Sequence, residues 1–341
     1  MLNIIFSLII ASFLPAFMLP DFLGGAASNI SLKKNEARHQ VLGEESQKSK
    51  ENSQNCNLFP IDSAAAAEFV PARKSDFYDL KIWAGSSVAI DAASGTILHY
   101  DNGRKRTQIA SLTKMMTAVL AVENIKDLDE EIIITAEALN VPGTVVGCPT
   151  SVFCNANRMY RGEKVRAEDL LKAMLMNSAN DAASAIGIHI AGTQERFVGM
   201  MNEKAKELGL KDTNFCTPSG LEIDGAEDQC YSTAYDIARI ASYSLRHDLI
   251  WDIMKIPEGK FYSTDEKYMH ELKNTDILIE EIPNCLGGKT GFTPLAGKSL
   301  LLGSADASGR HRIIAVLLND EQRWQDMRTM VDWIFENYEW R

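Results

Sequence analysis

The sequence lacks the features that usually indicate a metal centre or a nucleic-acid-binding protein. Its six histidines are scattered without the spacing typical of metal ligands, and its six cysteines include no Cys-x-x-Cys pair. Acidic residues outnumber basic ones by 46 to 35, which gives a net charge of −11 and argues against a nucleic-acid partner. We find no internal repeats. We therefore expect no metal, no cofactor and no nucleic acid.

Charge is also missing from the N-terminus, where no charged residue precedes Asp21. The apolar run from Leu2 to Leu19 has a length between that of a signal-peptide core and that of a spanning helix. No Lys or Arg precedes the run, which is unusual for an exported chain. We expect residues 1–27 to be a signal peptide or an N-terminal membrane anchor. The rest of the chain is then exported to the periplasm or cell-wall space.

The next segment, residues 28–76, is polar, mixed in charge and nearly free of aromatic residues. Such a composition cannot bury enough apolar surface to fold, so we expect a disordered linker. The folded domain then covers residues 77–341. In an oxidising compartment its cysteines can pair, for example Cys148 with Cys154 and Cys216 with Cys230, but the sequence does not determine the connectivity.

Strand patterns lie at both ends of this domain and helical patterns lie between them. "SSVAIDAASGTILHY" is typical of a hairpin, and "GKSLLLGSA" and "RIIAVLL" are typical of two later strands. The sequence therefore predicts an α+β fold, in which one antiparallel sheet is built from both chain ends and flanked by helices. An all-helical lobe of about residues 111–270 is inserted between the two parts of the sheet. A final helix has one apolar stripe: Trp324, Met327, Val331, Ile334, Phe335 and Tyr338.

Three short motifs carry the chemistry. Ser111 and Lys114 lie three apart at the start of a predicted helix, so a lysine amine can serve as the base for a serine nucleophile. Ser178 and Asn180 follow at a helix junction, and Lys289, Thr290 and Gly291 lie on a predicted strand.

Each motif is weak by itself. The first two patterns recur in the predicted linker, at Ser31–Lys34 and Ser53–Asn55. Ser178 and Asn180 could instead cap the helix that follows them. The order of all three motifs in their predicted contexts is much more specific, because it is the signature of penicillin-binding proteins and serine β-lactamases.

From residue 85 to about residue 338 the chain resembles the low-molecular-mass penicillin-binding proteins, which are serine-type D-alanyl-D-alanine carboxypeptidases. The resemblance extends to the longer segments "NSANDAA", "TNFCTPSGLEIDG", "YSTAYDIARIA" and "GGKTGFTPLAGKSLL". It implies the β-lactamase/transpeptidase-like fold. It also implies that the substrate is the D-Ala-D-Ala terminus of a peptidoglycan stem peptide and that β-lactams inhibit the enzyme.

The resemblance also implies a role for each motif residue. Ser111 attacks the peptide carbonyl, Lys114 takes its proton, and Ser178 relays a proton to the leaving D-alanine. Asn180 holds the substrate backbone and helps to position Lys114. On the strand, Lys289 and Thr290 receive the substrate carboxylate, and glycines such as Gly291 let the substrate lie against the strand. The backbone N–H groups of Ser111 and Phe292 form the oxyanion hole.

Three other functions remain open at this point. A serine β-lactamase shares the motifs but needs a base for rapid deacylation, and Glu222 lies in the interval where such a base is expected. A D,D-endopeptidase would use the same acyl chemistry on cross-links. A non-catalytic β-lactam-binding or cell-wall-binding domain would share the fold without turnover.

Overall fold

The computed structural model describes residues 69–148 and 157–341. The predicted signal or anchor segment, most of the predicted linker and Cys154 lie outside these residues. Within the described ranges, none of the helices has both the length and the apolar character needed to cross a membrane.

The core of the fold is a five-stranded antiparallel sheet, in which the strands lie in the order Ile97–Asp101 (β3), Ser86–Asp91 (β2), Arg312–Leu318 (β10), Gly297–Ala305 (β9) and Cys285–Thr293 (β8). Two strands come from the start of the folded region and three from its end, and the two groups meet where β2 pairs with β10, so the predicted sheet is confirmed. The strands in chain order, β1 to β11, are Pro71–Arg73, Ser86–Asp91, Ile97–Asp101, Glu131–Ile133, Lys164–Arg166, Glu258–Tyr262, Met269–Lys273, Cys285–Thr293, Gly297–Ala305, Arg312–Leu318 and Tyr338–Trp340.

Both faces of the sheet are covered. Successive side chains of a strand point to opposite faces, so Val88 and Ile90 belong to one apolar cluster and Ala89 to another. The first cluster includes the helices of the middle segment, and the second includes the C-terminal helix. The sheet is therefore a buried central layer, with β8 at one edge.

The segment between the two parts of the sheet is mainly helical, as predicted. It also contains two small antiparallel pairs, β4–β5 and β6–β7, so it is not all-helical. These strands have three to five residues, which is too short for a clear period-2 pattern. The helices in chain order, α1 to α8, are Lys114–Asn124, Ala136–Leu139, Ala167–Leu175, Asn180–Ala191, Gln194–Glu207, Ala234–Ser244, Asp248–Met254 and Arg323–Asn337.

The two ends of the folded region pair with each other. β1 lies within the predicted linker and forms an antiparallel pair with β11. The folded region therefore begins before residue 77, and composition did not reveal this because the partner strand is far away in sequence. Of the predicted apolar stripe, Met327, Val331 and Ile334 are buried on α8, whereas Tyr338 lies in β11 after the helix ends.

The structure shows one of the two cysteine pairs that the sequence suggested. Cys216 and Cys230 form a disulfide, and Cys148 is also disulfide-bonded. Cys154, which we considered as the partner of Cys148, is outside the described residues. Cys285 is a free thiol at the start of β8.

Candidate active site

The nucleophile predicted from the first motif lies at the entrance to α1. Ser111 is in a 3-10 turn, Ala110–Thr113, that continues directly into the helix. Ala110 has a φ of 47°, which is uncommon for a residue with a side chain and often marks a functional site. The turn places Ser111 at the start of the helix, where backbone N–H groups and the helix dipole favour developing negative charge.

Lys114 is fully buried and has three oxygen partners. Its Nζ lies 2.9 Å from Ser111 Oγ, 2.8 Å from Asn180 Oδ1 and 2.8 Å from the backbone oxygen of Ser219. The last two oxygens can only accept hydrogen bonds. A neutral amine has two hydrogens for them and one lone pair, which is then left to face the hydroxyl hydrogen of Ser111.

The electrostatics favour this neutral form. Burial, followed by the charge of Lys289, lowers the pKa of Lys114 well below its ordinary value. Asp181 opposes the shift, but burial raises the pKa of this carboxyl itself to about 6. The structure therefore places a base in contact with the serine, which is the arrangement that an activated hydroxyl nucleophile requires.

The second motif connects the two sides of the site. Ser178 lies just before α4 with a φ of 59°, and Asn180 is the first residue of that helix. Neither side chain caps the helix, whose N-cap position is Ala179 without a side-chain hydrogen bond. Asn180 instead accepts from Lys114 and donates from Nδ2 to the oxygen of Pro142 at 2.8 Å. The capping alternative is therefore wrong.

The third motif lies on the edge strand β8. Lys289 is fully buried, and its Nζ donates to Ser178 Oγ at 2.9 Å and to the oxygen of Thr290 at 3.0 Å. The hydroxyl of Thr290 is 2.6 Å from that of Thr275. Lys289 thus contacts the site through Ser178, which accepts its hydrogen bond and keeps its own hydrogen free to donate.

Gly291 and Phe292 complete this edge. A Cβ at Gly291 would lie 3.0 Å from the backbone oxygen of Ile109, just before the serine turn, which is tighter than an ordinary contact, so a glycine favours this close approach of strand and turn. Phe292 follows with 60% of its surface exposed. The strand edge therefore lies directly beside the turn that carries Ser111.

Two charged residues behind β8 were missed by the sequence analysis. Asp276 is buried, and its Oδ2 has no hydrogen-bond partner among the residues that the structure describes. It fits because Gly288 has no side chain: a Cβ there would lie 2.0 Å from that oxygen. From the other side, Arg323 Nη1 donates to the oxygen of Gly291 at 3.0 Å.

These charges act on the strand lysine. Burial lowers the pKa of Lys289 to about 7, Asp276 opposes the shift, and Arg323 adds to it. Burial also raises the pKa of Asp276 to about 6. The only sequence signal for Asp276 was an acidic residue among apolar ones shortly before a Gly-Gly pair, which is too common to indicate a site.

The fold and the site together define a class of protein. They combine a serine, a buried lysine base in contact with it, a serine and an amide on the neighbouring helix junction, and a second buried lysine on an open sheet edge. This is the arrangement of enzymes that transfer an acyl group to a serine by means of a lysine base.

The comparisons specify the class further. A family profile described as D-alanyl-D-alanine carboxypeptidase matches residues 72–322. The chain belongs to this family. It is 34% identical to the D-alanyl-D-alanine carboxypeptidase DacF of Bacillus subtilis over 270 residues, which are 75% of this chain and 63% of that relative. The chain thus spans less than two thirds of the length of this relative.

Solved structures agree with this assignment. A D-alanyl-D-alanine carboxypeptidase from Mycobacterium tuberculosis has a TM-score of 0.67 and 26% identity, with 78% of this chain and 96% of that chain covered. Penicillin-binding protein D2 from Listeria monocytogenes, solved with ampicillin bound, has a TM-score of 0.63 and 27% identity, with 76% of this chain and 99% of that chain covered. The predicted fold class is therefore confirmed.

Proposed function

We propose that this protein is a serine D-alanyl-D-alanine carboxypeptidase that removes the terminal D-alanine from peptidoglycan stem pentapeptides through an acyl-enzyme. The observation that carries the proposal is the environment of Lys114. Two carbonyl oxygens occupy the hydrogens of its neutral amine, and Ser111 Oγ lies 2.9 Å from its nitrogen. Membership of the family supports the same activity.

In the first half of the reaction Lys114 takes the hydroxyl proton while Ser111 Oγ bonds to the carbonyl carbon of the penultimate D-alanine. Negative charge moves to the carbonyl oxygen, which accepts hydrogen bonds from the backbone N–H groups of Ser111 and Phe292. The tetrahedral intermediate then expels the amine of the last D-alanine. Ser178, held by Lys289, relays to this amine the proton that Lys114 took, so Lys114 is neutral again and Ser178 keeps its own hydroxyl hydrogen.

In the second half water attacks the ester on Ser111, with Lys114 again as the base. The carboxylic acid leaves, and the hydroxyl of Ser111 is restored. No cofactor takes part, because each step moves only a proton and an acyl group.

Substrate recognition depends on β8. The stem peptide lies along the open strand edge, as an added strand would, and its free carboxylate faces Thr290. Lys289 is buried, so its charge acts on the carboxylate from behind the strand. β-Lactams contain a comparable carboxylate beside a strained amide, and they acylate Ser111 in the same way but leave slowly.

The substrate requires an extracytoplasmic location, so the apolar N-terminal segment acts as a signal peptide or membrane anchor. The uncharged run between Leu2 and Leu19 supports export. The disulfide between Cys216 and Cys230 supports an oxidising compartment.

Two measurements test the proposal. Benzylpenicillin should add one adduct to the protein, located on Ser111 by peptide mapping, and a D-Ala-D-Ala pentapeptide should release free D-alanine. Ser111→Ala should abolish both. An unchanged mass, or an adduct on another serine, contradicts the proposal, and rapid turnover of nitrocefin would favour a β-lactamase instead.

A further inference from the structure

The loop closed by the disulfide, residues 216–230, holds the helical side of the site through backbone groups. The oxygen of Ser219 accepts from Lys114 Nζ at 2.8 Å, and the oxygen of Pro218 accepts from Thr117 Oγ1 at 2.6 Å. Both donors lie on α1. The position of the lysine base therefore depends on where this loop lies.

The same loop is fixed against the serine turn. Gly220 has a φ of 86°, and a Cβ there would lie 1.9 Å from the backbone oxygen of Ala110. No side chain can be accommodated at this approach, so the loop and the turn are in direct backbone contact.

From this loop Glu222 reaches the opposite side of the site. Its Oε1 accepts a hydrogen bond from the hydroxyl of Thr293, which is the last residue of β8 and follows Phe292 directly. The hydroxyl of Thr293 also accepts from the backbone N–H of Ala296 at 3.1 Å, so both of its hydrogen-bonding functions are in use. Thr293 is buried.

We propose that Glu222 is a positioning residue for acylation: through Thr293 it holds the end of β8 in place relative to the loop that holds Lys114. The oxyanion donor of Phe292 and the base that activates Ser111 belong to different parts of the fold. The hydrogen bond between the side chains of Glu222 and Thr293 connects these two parts of the fold. The inference rests on the proposed function, since it assigns a role within that reaction.

This role differs from that of a hydrolytic base, the role in which Glu222 would support a β-lactamase. A base removes a proton from water during deacylation, and an amide cannot replace it. A positioning residue acts on the geometry of acylation, and a glutamine keeps the oxygen that accepts from Thr293. A base would therefore affect the rate constant of deacylation, and Glu222→Gln would lower it. A positioning residue would affect the rate constant of acylation, and Glu222→Gln would leave it nearly unchanged.

The test is a double-mutant cycle on the complete protein. Glu222→Ala and Thr293→Val should each lower the second-order rate constant of acylation by nitrocefin about tenfold, and the double variant should lower it by about the same factor, because both remove one connection. The conservative variants Glu222→Gln and Thr293→Ser keep the hydrogen bond and should retain most of the wild-type acylation rate. Asp224→Ala, an exposed acid on the same loop, is the matched control and should acylate at the wild-type rate.

Deacylation and thermal unfolding are measured on the same variants. Unchanged deacylation and unchanged unfolding midpoints in Glu222→Ala support positioning. Multiplicative losses in the double variant, or a Glu222→Gln variant that acylates normally and deacylates slowly, overturn the inference while leaving the proposed function intact. A wild-type protein that forms no adduct overturns both.

Discussion

The two sides of the candidate active site each bury a lysine, but the surroundings affect the pKa of the two lysines differently. On the helical side Lys114 has no carboxylate among its direct partners, and burial together with Lys289 lowers its pKa well below the ordinary value. On the strand side burial lowers the pKa of Lys289 as well, to about 7, but Asp276 opposes the shift. In the proposed reaction Lys114 is the base, and Lys289 provides the positive charge that faces the substrate carboxylate.

This contrast shows that burial alone does not assign a role to a lysine. Desolvation disfavours the ammonium at both positions, and the neighbouring charges decide how far the pKa falls. The neutral amine can take a proton from Ser111, and the protonated one can hold Ser178 and attract a carboxylate.

The same substitution at the two lysines should have unequal effects. Arginine cannot lose its proton, so Lys114→Arg should lower acylation of Ser111 by about 10³-fold. Lys289→Arg keeps a positive charge on the strand and should lower it by only about tenfold. Intact-mass kinetics with benzylpenicillin measure both rates.

Because an arginine side chain is larger than the lysine side chain that it replaces, Lys114→Met serves as a second variant without a base. It should lose as much activity as Lys114→Arg while unfolding at a similar temperature. Equal losses at both lysines would show that the two sides do not differ as we describe.

Removal of the carboxylate on the strand side should shift the pH dependence. Loss of the negative charge in Asp276→Asn lowers the pKa of Lys289 further, so the ammonium is lost at a lower pH. The alkaline limb of the acylation profile is expected near pH 7 in the wild type and should move to lower pH in the variant. The acid limb, which reflects protonation of Lys114, should stay where it is. Acylation rates between pH 5 and pH 9 give both limbs, and an unmoved alkaline limb counts against a role for Asp276.

The disulfide should matter for the helical side and the free thiol of β8 should not. Cys216→Ser with Cys230→Ser releases the loop whose Ser219 oxygen holds Lys114, so acylation should fall severalfold. The free energy of unfolding should fall by about 3 kcal/mol, as expected for a loop of this length. Cys285→Ser is the control on the strand side, and losses as large in that variant would contradict the assignment.

A buried ionisable pair elsewhere in the helical segment should affect stability with little effect on catalysis. His270 Nε2 lies 2.7 Å from Glu163 Oε1, and both side chains are buried. Burial, the largest single effect, lowers the pKa of His270, but its hydrogen bonds with Glu163 and with the backbone oxygen of Asn157, together with nearby negative charge, outweigh burial, so the net shift of the pKa is upward. The pair therefore stabilises the fold fully below about pH 6.5 and loses this contribution as the pH rises through the raised pKa.

The measurement for this pair is the unfolding midpoint of the wild type and of His270→Gln at several pH values. The difference between them should be largest at acid pH and should shrink at alkaline pH. Acylation should stay within about twofold of the wild-type rate, because within residues 69–148 and 157–341 neither side chain is hydrogen-bonded to a residue of the candidate active site.

Much of this architecture could be predicted from the sequence because its signals are local. The hairpin around "SSVAIDAASGTILHY" and the later strands have apolar patterns that each segment carries by itself. The short pairs β4–β5 and β6–β7 were missed, because a strand of three residues has no periodicity to read. The pair β1–β11 was missed for a different reason, since a strand at the edge of a polar segment is stabilised only by a distant partner.

The same distinction applies within the site. Side chains such as Ser111, Lys114 and Lys289 could be found from short motifs. The oxygen of Ser219 could not be found, because every residue has a backbone oxygen and only the fold determines which one meets an amine. Asp276 is a side chain without a motif, and it matters only because Gly288 leaves room for it behind the strand.

By itself the sequence determined which reactive groups the protein has, in what order, and on which kinds of element they lie, since these depend on neighbouring residues alone. The tertiary structure decided how far the pKa of each lysine falls. The physical reason is that a pKa depends on burial and on charges within a few ångströms, and groups such as Asp276 and Arg323 reach that distance only when the chain is folded.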